Sequence, residues 1–332
     1  MTHSLLLGNG INRVAKQRQW TDILQELAIQ FGADDLLPQI NAKPLSMFIE
    51  ELCARSSERF IKAERTVKIE FAKLLRQIEP IEAHTRVCSL FKVILTTNYD
   101  FTIEEAFAGV LHHRAFLAPE SRYSLFRRHR AADKDIWHIH GDIARPGSML
   151  LGFDHYAGNL QKIRNYVTDG IDVKSVHCRV SSPVKNGNFD FTINRQVYSW
   201  VDYFLRDHIH IVGLGMDFTE IDLWWLLLHK RRRLHQTGKV FFYHTTTESQ
   251  TTDTPVTSLL KSLNVEVVPV VAASYLDCYL KVADMIEEKI ALYPALFPKP
   301  ECKADEIQCL STLEELNTSR PKQASIRFSR SH

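Results

Sequence analysis

Short apolar runs, each closed by a turn residue, alternate along this chain with stretches of helical periodicity. The runs are Ser4–Leu7, Lys92–Thr97, Ile136–His140, His208–Gly215, Val240–His244 and Val265–Val271. Runs this short, bounded by Gly, Asn or Asp, read as buried strands. Trp20–Phe31, Leu45–Phe60, Ile61–Ile78, Ile221–Leu234 and Tyr275–Leu292 carry apolar residues three and four apart, the period of a helix. A helix between successive strands brings the chain back to the same end, so the strands run parallel and helices cover both faces. The predicted class is therefore α/β: a Rossmann-like, mostly parallel sheet with helices on both faces and a smaller, mainly helical inserted module.

That module is expected from two stretches that break the alternation, about 14–87 and 157–201. The second contains SSPVKNGNFDF (Ser181–Phe191), which reads as an exposed loop or hairpin. One domain is expected over 1–297. The remainder, 298–332, is polar and poor in aromatics, and reads as a weakly ordered tail.

With 332 residues, 45% of them hydrophobic, the chain can bury a large core. Lys+Arg is 41 and Asp+Glu 39, a balance that argues against direct nucleic-acid binding. The basic run Arg127-Arg128-His129-Arg130 is expected in a loop, and Lys230–Arg233 at a solvated helix end. No apolar stretch is long enough to cross a bilayer, and the N-terminus lacks the pattern of a secretory signal. The six cysteines are scattered and form no C-x-x-C pair, so neither zinc nor a disulfide framework is expected, and a reducing cytoplasm is.

Four stretches carry candidate chemistry. Gly8-Asn9-Gly10-Ile11-Asn12 follows the first strand, where glycines admit close approach of a phosphate and a helix start offers free N–H groups. The third glycine of a dinucleotide fingerprint is missing, because Arg13 stands there. A plain strand–helix turn explains the stretch equally well. Thr96-Thr97-Asn98-Tyr99-Asp100 follows the second strand. Asn98 offers both donor and acceptor to a ligand, while Asp100 could contact ribose hydroxyls or simply cap a helix starting near Thr102. Trp137-His138-Ile139-His140-Gly141-Asp142 ends a third strand. His138 reads as a satisfied core histidine and His140 as a general base opening into a cleft. Val212-Gly213-Leu214-Gly215-Met216-Asp217 is a second strand–glycine turn, with Asp217 or Thr219 able to cap the next helix and Trp224-Trp225 expected in helix packing.

The order of these pieces resembles the sirtuin superfamily. There the matching elements are a G-A-G-x-S turn, a Q-N-x-D segment, a His-Gly pair and a G-T-S turn, all of which bind or process NAD+. The likeness spans about Ser4 to Val271. Protein deacylases of the superfamily carry two C-x-x-C pairs for a structural zinc, and this chain has none. With GNGIN in place of GAGxS, and threonine where deacylases have glutamine, it is more similar to the zinc-less sirtuin-like NADases of bacterial anti-phage defence.

The resemblance implies NAD+ as substrate, cleaved at its nicotinamide–ribose bond. Asn98, His140 and Asp100 would be catalytic, and Gly8, Asn9, Gly10, Asn12, Thr97, Gly213, Gly215, Met216 and Asp217 would bind the nucleotide. It further implies a homo-oligomer, with a HerA-type ATPase or another defence partner, because little sequence after Val271 remains for a fused sensor. A non-catalytic NAD+ or ADP-ribose binding module, and an NAD+-dependent deacylase or ADP-ribosyltransferase, are the alternatives. Hydride transfer is not expected: no acidic residue ends a second strand about twenty residues after the first turn, since that region reads as helix.

Overall fold

The computed structural model of the chain describes residues 2–15, 20–76, 78–108, 112–115, 123–174, 179–190, 197–233, 237–247 and 253–294. The expected tail therefore lies outside the described residues. In chain order the first strand is β1 (His3–Leu7), followed by a 3-10 turn over Asn9–Ala15 and the helices α1 (Trp20–Gln30), α2 (Leu45–Ala54), α3 (Phe60–Leu75) and α4 (Glu82–Cys88). Then come β2 (Val93–Thr96), α5 (Thr102–Ala108), β3 (His112–Ala115), β4 (Arg127–Ala131), β5 (Lys134–His138) and α6 (Phe153–Asp169). Two small hairpins follow, β6 (Asp172–Lys174) with β7 (Arg179–Ser181) and β8 (Val184–Lys185) with β9 (Asn188–Phe189). The chain closes with α7 (Trp200–Arg206), β10 (His208–Val212), α8 (Ile221–Arg232), β11 (Val240–Thr246), α9 (Pro255–Ser262), β12 (Val265–Val271) and α10 (Tyr275–Leu292).

The main sheet has eight strands in the order β12-β11-β10-β1-β2-β5-β4-β3. Its first six are parallel, and β4 and β3 extend it as an antiparallel edge. The α/β class is as the sequence implies. Successive side chains of a strand point to opposite faces, and the two cores divide accordingly. Leu6, Leu95, Trp137, Ile211 and Phe242 pack on one face with α6, α7 and α8. Leu5, Leu7, Ile94, Ile136 and Phe241 pack on the other with α4 and α10. Each such fully buried side chain contributes roughly 1.5–3 kcal/mol.

A third core lies among α1, α2 and α3, and it takes in Tyr99, Phe101, Met149 and Leu151 from the loops after β2 and β5. The helical layer thus rests on the loops at the carboxyl ends of the strands. The stretch 157–201 differs from expectation. It holds the end of α6, both hairpins and the start of α7, and its Ile163, Tyr166, Val184 and Trp200 belong to the core of the main sheet. Within the anticipated stretch Ser181–Phe191, Val184–Phe189 forms a hairpin, Ser181 pairs with Asp172 in the preceding one, and Phe191 lies outside the described residues.

Two charge assignments are corrected. Arg127–Arg130 forms strand β4, not a loop. Its polar side chains are accommodated by pairing: Arg127 with Asp142 at 3.3 Å, Arg128 with Asp135 at 3.0 Å and the His129 ring beside Glu104 at 3.2 Å. Lys230 does not extend into solvent but is buried, donating to the carbonyls of Leu205 and Asp207 at 2.9 and 2.8 Å. Burial pushes its pKa down to about 7.

Candidate active site

The four stretches converge. β10, β1, β2 and β5 are adjacent and parallel, so the turns that follow them emerge at one end of the sheet. From β1 the chain proceeds to β2 on one side and returns later to β10 on the other. This is a topological switch point, where open α/β sheets bind ligands.

The two glycine turns touch each other. Gly8 N–H donates to Val212 O at 2.9 Å and Gly10 N–H to Gly213 O at 2.6 Å. A Cβ on Gly8 or on Gly10 would stand 2.6 Å from Gly213 O, and Gly213 itself has φ +64°. These three positions need glycine because two backbones meet here. Gly215 is different: it is exposed, and a Cβ there meets nothing within 4 Å. Met216, at φ +52°, is buried in the core of the main sheet. Asp217 is exposed and accepts from the N–H and hydroxyl of Thr219, so it caps the turn ahead of α8 and not the helix itself.

Asn12 ties the first turn to the second. Its side-chain amide donates to Asn9 Oδ1 at 2.7 Å and to Asp100 Oδ2 at 3.2 Å, and its Oδ1 accepts from His84 Nε2 at 2.9 Å. His84 Nδ1 in turn accepts from Ile81 N–H, which fixes the neutral tautomer, and burial lowers its pKa to match. Asp100 Oδ1 receives the N–H and hydroxyl of Thr102, so Asp100 caps α5. Thr97 is buried and continues the strand pairing through its N–H to Leu7 O at 3.1 Å.

Asn98 and His140 follow the ends of the adjacent parallel strands β2 and β5. The register pairs Thr96 with His138, and two more residues along each chain reach Asn98 and His140. Each is only 1% exposed, so His140 is closed off and does not open into a cleft as its sequence position suggests. Among the described residues, neither side-chain polar atom of Asn98 has a hydrogen-bond partner. A buried amide left so costs about 1–3 kcal/mol, which a bound ligand would recover. Gly141, at φ +93°, lets the chain turn sharply after His140, and a Cβ there would stand 2.3 Å from Ser148 O.

His140 Nε2 is 3.0 Å from Asp222 Oδ2, a carboxylate that also accepts from Asn159 Nδ2 at 2.8 Å. Burial opposes a charge on His140, but the Asp222 carboxylate outweighs it and holds the pKa above 6.5. The Glu220 carboxyl lies in the same charge cluster, and burial pushes it up to about 7. Tyr156 packs edge-on against the His140 ring at 5.3 Å, and Tyr99 donates to Leu150 O at 2.6 Å. Asp222, Asn159 and Glu220 were not evident in the sequence. Asp222 is 82 residues from His140 and opens a helix that looked like ordinary packing.

His138 is a satisfied core residue, as expected. Its Nδ1 is 2.6 Å from Asn98 O and its Nε2 2.8 Å from Glu104 Oε1. Since both partners are acceptors, both ring nitrogens carry protons here. Against the cost of burial, Glu104 lifts His138 to about 9.

A family model described as the SIR2-like domain matches residues 92–268, more than half of the chain. The chain belongs to the SIR2-like family. The matched span of this SIR2-like chain holds Asn98, His140, Gly213 and Asp222, while the first glycine turn lies before it. Membership implies use of NAD+. No curated protein matches the chain.

Proposed function

We propose that this SIR2-like protein hydrolyses NAD+ at the nicotinamide–ribose bond, releasing nicotinamide and ADP-ribose. The observation that carries the reading is the buried amide of Asn98, unpartnered among the described residues, at the switch point of the sheet where the next strand ends in a histidine oriented by a buried carboxylate. Nicotinamide leaves a cationic ring readily, so the protein's task is positioning and charge stabilisation. Asn98 supplies a donor and an acceptor to the ribose hydroxyls or the attacking water. His140 takes the proton released as water adds to the ribose carbon, and the bonding pair leaves with nicotinamide. Asp222 keeps Nε2 protonated, so that Nδ1 is the nitrogen that accepts. Asn12 and Asp100 position the loops, and the 3-10 turn beginning at Asn9 offers amides to the pyrophosphate.

The burial of Asn98 and His140 supports a resting state that must open before substrate reaches them. Assembly, as a homo-oligomer or with a HerA-type ATPase, would supply that opening, in keeping with a role in anti-phage defence by NAD+ depletion. The test is nicotinamide release from NAD+ by the full chain, alone and with partner, alongside native mass.

A further inference from the structure

A second constellation lies directly beneath the Asn98 loop. Glu104 from α5, His129 from β4 and His138 from β5 are each buried, and they bring one ligating atom apiece to within 4.8 Å of one another. Glu104 Oε1 is 2.8 Å from His138 Nε2 and 3.2 Å from His129 Nδ1. Four-coordinate zinc with bonds of about 2.1 Å has ligand–ligand edges of about 3.4 Å, so small rotations would bring these atoms to coordination distance.

The outward-facing atoms fit the same purpose. His138 Nδ1 is 2.6 Å from Asn98 O, which holds its proton there, so an ion bound at the inward-facing Nε2 would displace only the proton now shared with Glu104. His129 Nε2 is 3.6 Å from Asp142 Oδ2, and Asp142 is itself paired with Arg127 at 3.3 Å. A metal-ligating histidine usually donates its other N–H to a carbonyl or a carboxylate, and here one ring faces each. Glu104 Oε2 is buried with no hydrogen-bond partner among the described residues, and is available as a further oxygen ligand.

We infer that His129, His138 and Glu104 form a buried site for a divalent transition-metal ion of the zinc class, with Asn98 O and Asp142 orienting the two rings. The donors are nitrogen and oxygen, so the absence of C-x-x-C pairs does not bear on it. The ion would be structural: it would cross-link α5, β4 and β5 and fix the backbone of Asn98 through His138. The inference does not depend on NAD+ hydrolysis.

The test uses the full chain, purified without chelator or a histidine tag. About one zinc per chain by elemental analysis, retained through gel filtration, is expected. After stripping, cobalt(II) should bind with the visible absorption of a four- or five-coordinate N/O site, and zinc should raise the melting temperature. Asp142→Asn should weaken metal affinity by about 10–100-fold, and His129→Ala should abolish the cobalt spectrum. Should either variant fail to fold, the wild-type cobalt titration decides. Wild-type protein with no zinc above background and no cobalt spectrum would overturn the site, as would metal binding left intact in folded His129→Ala.

Discussion

His140 Nε2 lies 3.0 Å from Asp222 Oδ2, and both side chains are sealed from solvent. A carboxylate there selects one imidazole tautomer and stabilises the imidazolium that forms when the ring takes a proton. Asp222→Asn keeps the shape and removes the charge. It should lower kcat by about 10²-fold or more while KM changes little, because the carboxylate matters once the proton moves. Steady-state kinetics beside a melting curve checks this. Equal loss in kcat and in folded protein would assign Asp222 a structural role only.

The two glycine turns make a prediction about stability. Gly10→Ala places a Cβ 2.6 Å from Gly213 O and 2.9 Å from the Tyr279 hydroxyl, contacts that the backbone cannot relieve cheaply. It should cost about 2–4 kcal/mol, read as a shift in the urea midpoint. Gly215→Ala meets open space and should stay within about 0.5 kcal/mol of wild type. If the nucleotide passes close to Gly215, the same variant raises KM without loss of stability.

Buried neutral histidines set the acid sensitivity. Burial lowers the pKa of His3, His84 and His210, and takes His208 down to about 4. A depressed folded pKa means that the unfolded chain binds the proton first. Stability is then fully present above pH ~6.5 and falls as pH drops below it. His210 accepts from the Tyr243 hydroxyl through Nδ1 and meets His3 Nδ1 through Nε2, an arrangement that needs the neutral ring. The urea midpoint should decline from pH 7 to 5, and His210→Phe should flatten that decline.

Asn12 joins three segments through one amide, with His84 on one side and Asp100 on the other. Asn12→Ala leaves His84 Nε2–H without its buried acceptor and should cost about 1–3 kcal/mol. Because Asp100 keeps its bonds to Thr102, α5 should remain capped. Hydrogen exchange should therefore report loosening at Ile81–His84 and not at the start of α5.

Much of the sheet was legible because each central strand is a short apolar run that must be buried on two faces. Leu5 and Leu6, or Phe241 and Phe242, go to opposite cores, which continuous hydrophobicity foretells. The turns carrying Asn98 and His140 were legible from their position at strand ends. Strand β4 was hidden because Arg127 and His129 are charged or polar in isolation, and only their partners Asp142 and Glu104 make burial affordable. Lys230 was hidden for the same reason, its acceptors being carbonyls at the end of α7 and just beyond it. Asp222 could not be read as His140's partner, since nothing local marks a pairing across 82 residues.

The most direct measurement is nicotinamide release from NAD+ by wild type, Asn98→Ala and His140→Ala, each confirmed folded and each assayed alone and in the assembled state. Hydrolysis at the proposed site predicts turnover by the wild type, reduced about 10²–10⁴-fold in His140→Ala and about 10²–10³-fold in Asn98→Ala. A wild type that binds NAD+ in both states yet releases no nicotinamide, or a His140→Ala variant as active as wild type, would contradict it.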